Sequence, residues 1–435
     1  MSNKPSWQNS LPRLIVLLLF AGSAINYLDR SLLSVVMPQV RHDLLLSNAD
    51  YGLVIHAFLM MYAIFYILGG LIADRLGYRR TFSLAVVFWS LASMAHTFVQ
   101  GLRSLFLCQA MLGMGEGIYY PAAMRGVAGL FPPASRAKAV GTILSAISLG
   151  MLITPPLVAW TTLHYGWRGT FLLLGALGLL LLPPWLWVHR QFHHSAGTSD
   201  SASVKACDPT AGVSTEQEVT LGEVLKTRKY WCVLAARACS DSVWYFYLFW
   251  IPGYFQEARG LSLARVGKLL WVPYFCSFLG ALAGAAASSA LIRRGLGLHR
   301  SRKTILLASA SLCAFSASAG FAPATNLALA LVSVALFAHQ SWSTNIHTVI
   351  TEISPPKHVA ILYGMTGSAG TFIGAAAQLI IGPVIDVYGY KPAFVWAGGM
   401  YVLAAALLMS AGLLEPIRRK VVGYPGSTSA SSKEG

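Results

Sequence analysis

Runs of about twenty predominantly apolar residues, free of charge or nearly so, recur along the whole chain, separated by short clusters of charged, glycine and proline residues. A bilayer core of about 30 Å takes roughly 20 such residues per helix, so each run predicts one membrane-spanning helix. Twelve are predicted, over 14–37, 51–73, 81–102, 104–130, 139–163, 169–189, 231–256, 269–292, 304–321, 326–351, 358–385 and 392–414. The stretch from Thr304 to Thr351 holds no Asp, Glu, Lys or Arg and is too long for one span, and Gly320, Pro323 and Asn326 mark the turn that divides it. The first run is too long for the apolar part of a cleavable signal and lacks a small-residue cleavage site, so it is expected to stay as helix 1.

Composition agrees: 55% of the 435 residues are hydrophobic and 11% charged, against about 25% charged in a soluble domain. The 32 Lys and Arg residues are unevenly shared. With both termini on one side, 22 fall on that side, 7 on the other, and Arg30, Arg125 and Arg237 fall inside spans. The positive-inside rule therefore puts the termini in the cytoplasm. The net charge of +16 is read as topology and anionic-lipid contact rather than nucleic-acid binding.

The longest hydrophilic stretch, Arg190 to Lys229, separates six spans from six. The expected architecture is an all-α membrane protein with two six-helix halves, residues 1–190 and 230–416. A cytoplasmic linker (191–229) joins them and a cytoplasmic tail (417–435) follows. Parallel repeats of this kind place a substrate site near the bilayer midplane between the halves. The cysteines Cys108, Cys207, Cys232, Cys239, Cys276 and Cys313 form neither a disulfide framework nor a metal-ligand spacing, and no cofactor is expected.

Between helices 2 and 3, Gly70, Asp74, Arg75, Gly77, Arg79 and Arg80 stand in the run GLIADRLGYRR. This resembles the cytoplasmic signature of the major facilitator superfamily. The glycines suit a tight turn, and Asp74 suits a charge latch made in one conformational state. Arg75, Arg79 and Arg80 equally serve as positive-inside charges.

Charges inside spans point to function. Asp29 and Arg30 lie next to each other deep in helix 1, at a cost of several kcal/mol unless they meet a wet cavity or partners. They point about 100° apart on the helix and do not face each other. Glu116 sits among glycines in helix 4. Desolvation favours the protonated form of a carboxyl, so Asp29 and Glu116 are candidate proton carriers. The alternatives are an ion pair that fixes packing and, for Glu116, a neutral interhelical hydrogen bond. Arg30 offers bidentate recognition of a substrate carboxylate. Tyr27, Tyr62, Tyr119, Trp244, Gln340, Trp342 and Asn345 are candidates for hydroxyl and ring contacts, each aromatic alternatively serving packing. Arg125 and Arg237 lie nearer the cytoplasmic ends, where a long side chain can snorkel to the interface, and are assigned to gating or topology.

The runs NYLDR (26–30), LGMGEG (112–117), WYFYLFWIP (244–252) and FAHQSWSTN (337–345) together resemble the anion:cation symporter family, most of all bacterial hexuronate and sugar-acid transporters. The resemblance implies import of a small organic anion with protons, or alternatively sodium. In it Arg30 meets the substrate carboxylate, and Asp29 and Glu116 carry the coupling protons. Gln109 stands where that family commonly has an arginine, seven residues before the glutamate, and is taken as a substrate-binding position. The expectation is a monomeric, proton-coupled importer of a hexuronate-like acid in a bacterial inner membrane. Its alternatives are a symporter of another organic anion and a proton-driven drug efflux carrier. No catalytic residues stand out, and the chain is not expected to be an enzyme.

Overall fold

The computed structural model describes residues 11–131, 133–195 and 219–412, together with 414, 415 and 417. Residues 196–218 of the expected linker and 418–435 of the expected tail lie outside that range. So do Lys4, Lys205, Cys207, Arg418, Arg419, Lys420 and Lys433. Among the described residues there are helices and no strands. They are α1 (Leu11–Leu44), α2 (Asn48–Ala95), α3 (Leu102–Leu130), α4 (Pro133–Leu179), α5 (Leu182–Ser195), α6 (Leu221–Leu225), α7 (Arg228–Gly253), α8 (Leu263–Leu269), α9 (Trp271–Arg293), α10 (Leu298–Phe315), α11 (Thr325–Ile353), α12 (Val359–Tyr388) and α13 (Lys391–Ser410).

Eight stretches are long and apolar enough to cross a bilayer, and two of them, Asn48–Phe98 and Ala139–Gln191, run to 51 and 53 residues. A bilayer needs about 20, so each of these two serves for two spans. Both are broken at a glycine with left-handed φ, Gly77 at +77° in α2 and Gly166 at +69° in α4. That conformation clashes with a Cβ but not with glycine. α3 and α7 complete the twelve, and their middles carry charged residues. The expected break after helix 9 is found where a 3-10 turn, Ser316–Phe321, precedes α11. Several helices outrun their expected limits, among them α1 to Leu44 and α5 to Ser195.

In the first half α2 packs on α3, and α1 on α4; in the second, α11 packs on α9, and α7 on α12 and α13. The halves meet where α2 crosses α12, α1 crosses α7, and α4 lies against α8 and α9. Polar contacts between the halves gather toward one end, where α1 and α7 finish and α2 begins. There Arg41 pairs with Glu257 at 2.7 Å and Gln39 donates to Gln256 at 2.9 Å. Tyr51 donates to the Phe249 carbonyl at 2.8 Å, and Asp386 accepts from Asn48 and Ala49. This end of the bundle is closed.

Candidate functional site

Three glycines place Glu116. A Cβ on Gly113 would lie 2.2 Å from the Phe58 carbonyl oxygen, one on Gly117 2.6 Å from that of Tyr62, and one on Gly115 2.7 Å from the Trp89 nitrogen. α3 is therefore wedged between both legs of α2, and its only non-glycine residue in that stretch besides Met114 points toward α1. There Glu116 Oε2 accepts from Arg30 Nε at 2.9 Å. Both side chains are buried, at 4% and 0% exposure. Such a pair is expensive to desolvate, and breaking it leaves an uncompensated charge.

The rest of the Arg30 guanidinium is wrapped in rings. Its Cζ lies 4.6 Å from the Tyr27 ring centre, 4.3 Å from that of Tyr62 and 5.6 Å from that of Phe58. Nη2 reaches Asn26 Oδ1 at 3.4 Å. Cation–π contact suits a desolvated guanidinium and leaves its edge available for an anion. Asp29 points elsewhere: its Oδ1 accepts from Ser93 of α2 at 3.2 Å, and its Oδ2 has no protein partner. The two adjacent charges of helix 1 thus serve different interfaces, as their 100° offset requires.

The structure brings Tyr27, Arg30, Tyr62 and Glu116 together. Gln109 is buried on α3, two turns before Glu116. Tyr119 lies apart from this group: its hydroxyl donates to the Leu19 carbonyl at 2.5 Å and meets Ser23 Oγ at 2.9 Å. In the second half, Trp244 stacks on His339 with ring centres 4.8 Å apart, and His339 bonds the Tyr401 hydroxyl. Trp342 stands edge-on to Tyr401. Asn345 joins α11 to α9 through the Gly284 carbonyl at 3.2 Å and accepts from Arg302. Gln340 is half-buried on α11.

Arg237 departs from its expected snorkelling position. It is buried, with Nε 3.2 Å from Asp241 Oδ2, Nη1 2.6 Å from Thr366 Oγ1, and Cζ 4.9 Å from the Tyr363 ring centre. Asp241 was not singled out from sequence, although an acid four residues after an arginine in an apolar span carries that signal. In the signature between α2's two legs, Asp74 pairs with Arg125 of α3, which ties Arg125 into the same half. Gly77 forms the break, while Gly70, Arg75, Arg79 and Arg80 surround it.

The family model described as Major Facilitator Superfamily matches residues 19–377. The chain belongs to the Major Facilitator Superfamily. Relatives of the chain in this superfamily include the "Hexuronate transporter" of Bacillus subtilis (strain 168), 29% identical over 96% of this chain and 97% of that one. The "Probable galactarate/D-glucarate transporter GudP" of the same organism is 28% identical over 94% and 93%. Among solved structures, the inward-facing, occupied bacterial homolog of the human lysosomal transporter Spinster matches with a TM-score of 0.70. It is 19% identical and covers 94% of this chain and 96% of its own. The D-xylose-proton symporter matches with a TM-score of 0.67 at 17% identity. At these identities the solved structures establish the fold. This superfamily member is a multi-pass membrane transporter, not an enzyme.

Proposed function

We propose that the chain imports a small sugar acid, such as a hexuronate, together with protons, by alternating access of its two halves. The observation that carries this reading is the buried Arg30, held by Glu116 and roofed by Tyr27 and Tyr62. A substrate carboxylate is the natural rival of Glu116 for the guanidinium, and the tyrosines offer hydroxyls to a sugar. Exchange between the two carboxylates couples substrate to proton: Glu116 is neutral when the substrate holds Arg30, and charged when it does not. A cationic drug gains nothing from this arrangement. The names of the relatives, a hexuronate transporter and a galactarate/D-glucarate transporter, support the same class.

In this reading the chain is a monomer in a bacterial inner membrane with both termini in the cytoplasm. Residues 1–190 and 230–416 rock about the central site, joined through 191–229. The closed end then faces outward.

The experiment is uptake of labelled glucuronate, galacturonate and galactonate into proteoliposomes, with an inward proton gradient, an inward sodium gradient, or neither. Saturable uptake that the proton gradient stimulates, and that Arg30→Gln abolishes, is the expected result. Silence across the panel overturns the sugar-acid reading, and stimulation by sodium alone overturns proton coupling.

A further inference from the structure

Cations are scarce at the closed end, and several are already spent. Arg41 pairs with Glu257, Arg168 lies 3.8 Å from Asp43, and Arg259 donates to the Ala319 and Ala322 carbonyls. Arg265 and Lys268 of α8 are instead exposed, and among the described residues no acid pairs with either. They stand one turn apart, and Trp271 and Phe275 of α9 continue the same exposed stripe through Leu270, whose backbone is near-helical. At about 1.5 Å rise per residue, Arg265 stands about 9 Å from Trp271 along the axis. The stripe passes from charge to tryptophan to hydrocarbon, the order in which a bilayer passes from headgroups through the aromatic belt to acyl chains.

Trp271 also lines a cleft between the halves. α8 meets α4 at Gly267, where a Cβ would lie 2.5 Å from Ala159 Cβ and 3.1 Å from the Pro155 carbonyl oxygen. Beside this contact a cleft of about 530 Å³ opens, walled by Leu152, Ile153, Pro156 and Leu157 of α4 and by Trp271 of α9. Its size is that of a small-molecule site, about 300–1,000 Å³, and every wall is apolar. Ile153 and Trp271 are both exposed, so the cleft opens outward from the bundle, where the membrane lies. α4 runs toward the closed end, since Trp167 beyond it donates to Asp43 of α1, and α8 and α9 run away from that end. Arg265 and Lys268 therefore stand on the headgroup side of the cleft. Trp160, one turn past Pro156 on α4, is exposed beside His164, with ring centres 4.7 Å apart, and marks the same interface on the facing helix.

We propose that this cleft is a binding site for one anionic phospholipid, with an acyl chain against Trp271 and Pro156 and the phosphodiester on Arg265 and Lys268. The tail follows from place: water finds no polar partner between these walls, and the surrounding solvent is hydrocarbon. The head follows from charge, because unpaired cations at the bilayer surface favour anionic over zwitterionic lipid. A second copy of the chain packed here about a two-fold along the membrane normal would bring like charges together at the same depth. The walls come from both halves, so the lipid bridges α4 to α9 at the closed end.

The test places the full-length chain in phosphatidylcholine vesicles in which a small fraction of the lipid has brominated acyl chains, as either phosphatidylglycerol or phosphatidylcholine. Bromine quenches an indole that it touches, and subtracting the emission of Trp271→Phe isolates Trp271. Brominated phosphatidylglycerol is expected to quench Trp271 at least about threefold more than brominated phosphatidylcholine. Arg265→Gln/Lys268→Gln, which alters only exposed side chains, is expected to make the two lipids equal, whereas Arg265→Lys/Lys268→Arg keeps the charges and the preference. Soluble glycerol phosphate, a head without tails, is expected to leave the preference in place. Equal quenching by the two lipids in wild-type protein overturns the proposal, as does a preference that survives loss of both cations. Displacement by glycerol phosphate would make this a free-phosphate site, and a Trp271 that neither lipid quenches would mean that something else, such as a second copy, covers the cleft; either result also overturns it.

Discussion

Asp386, near the end of α12, caps the first turn of α2 in the opposite half: its carboxylate accepts from the Asn48 backbone N–H at 2.9 Å and from Asn48 Nδ2 at 2.8 Å. The same carboxylate accepts from the Ala49 N–H at 2.8 Å. The first N–H groups of a helix have no partner inside it, and the helix dipole favours a negative charge there. α2 has its local cap, Ser47 Oγ accepting from the Asp50 N–H, and Asp386 adds a second one across the interface between the halves, next to the Arg41–Glu257 pair. It exists only while this end is shut, so it stabilises one conformation and not the helix in every conformation.

Asp386→Ala is therefore expected to favour opening. Hydrogen bonds to a charged group contribute about 1.5–3 kcal/mol, and partial exposure reduces this to about 1 kcal/mol, a shift of roughly fivefold in the conformational ratio. Ser34 lines the small cavity just beneath the closure. Alkylation of Ser34→Cys in a cysteine-free background reads the opening, and an unchanged rate in Asp386→Ala would falsify the latch.

Closure also depends on backbone contact. A Cβ on Gly52 of α2 would stand 2.3 Å from the Gln378 carbonyl oxygen of α12, and one on Gly382 of α12 would stand 2.4 Å from that of Asn48. Alanine is the better helix former by about 1 kcal/mol, so Gly52→Ala should not weaken α2 itself. The expected result is a normal melting temperature with transport reduced at least about tenfold, because the two helices can no longer meet at van der Waals distance. Wild-type transport by Gly52→Ala would show that the halves close with room to spare.

Much of this was legible in the sequence for one reason: bilayers punish unpaired charge and reward apolar length, so spans and buried ions stand out. Arg30 and Glu116 stood out in the sequence because a charge inside an apolar span carries a cost that something must meet. What remained hidden was partnership. Nothing in the spacing says that Arg30 meets Glu116, 86 positions away, and not its neighbour Asp29. Arg41, Asn48 and Asp386 lie at span ends, where polar residues are ordinary, so the latch left no hydropathy signal. Arg237 looked like a snorkelling side chain until Asp241 was seen to hold it inside.

Tyr119 illustrates the same limit from the other side. Its depth made it a candidate for substrate contact, yet its hydroxyl is occupied by Leu19 and Ser23 and its ring edge meets Trp89 at 5.2 Å. Tyr119→Phe is expected to cost about 0.6 kcal/mol of stability, the average for interhelical hydrogen bonds in membranes, and at most about 1.7 kcal/mol. Substrate affinity should stay within about twofold. Tyr62→Phe should do the reverse, sparing stability and weakening sugar binding. A Tyr119→Phe protein that melts normally but binds poorly would return Tyr119 to the substrate site.

Glu116→Gln separates binding from coupling. Glutamine keeps the shape of the side chain, and its carbonyl oxygen can still accept from Arg30 Nε, but it cannot exchange a proton. Removing the charge leaves Arg30 with that neutral bond, the rings of Tyr27, Tyr62 and Phe58 and the weak contact to Asn26. The charged competitor for the guanidinium is then gone, so a substrate carboxylate should bind at least as well as before. Exchange of internal for external substrate requires only binding and rocking, and it should persist. Uphill uptake requires the proton to return with each cycle, and it should vanish, along with the rise in uptake that falling external pH gives the wild-type protein. The paired measurement is counterflow and gradient-driven uptake on the same proteoliposome preparation. Gradient-driven accumulation by Glu116→Gln would move the coupling proton away from Glu116 and leave Asp29, with its unpartnered Oδ2, to carry it.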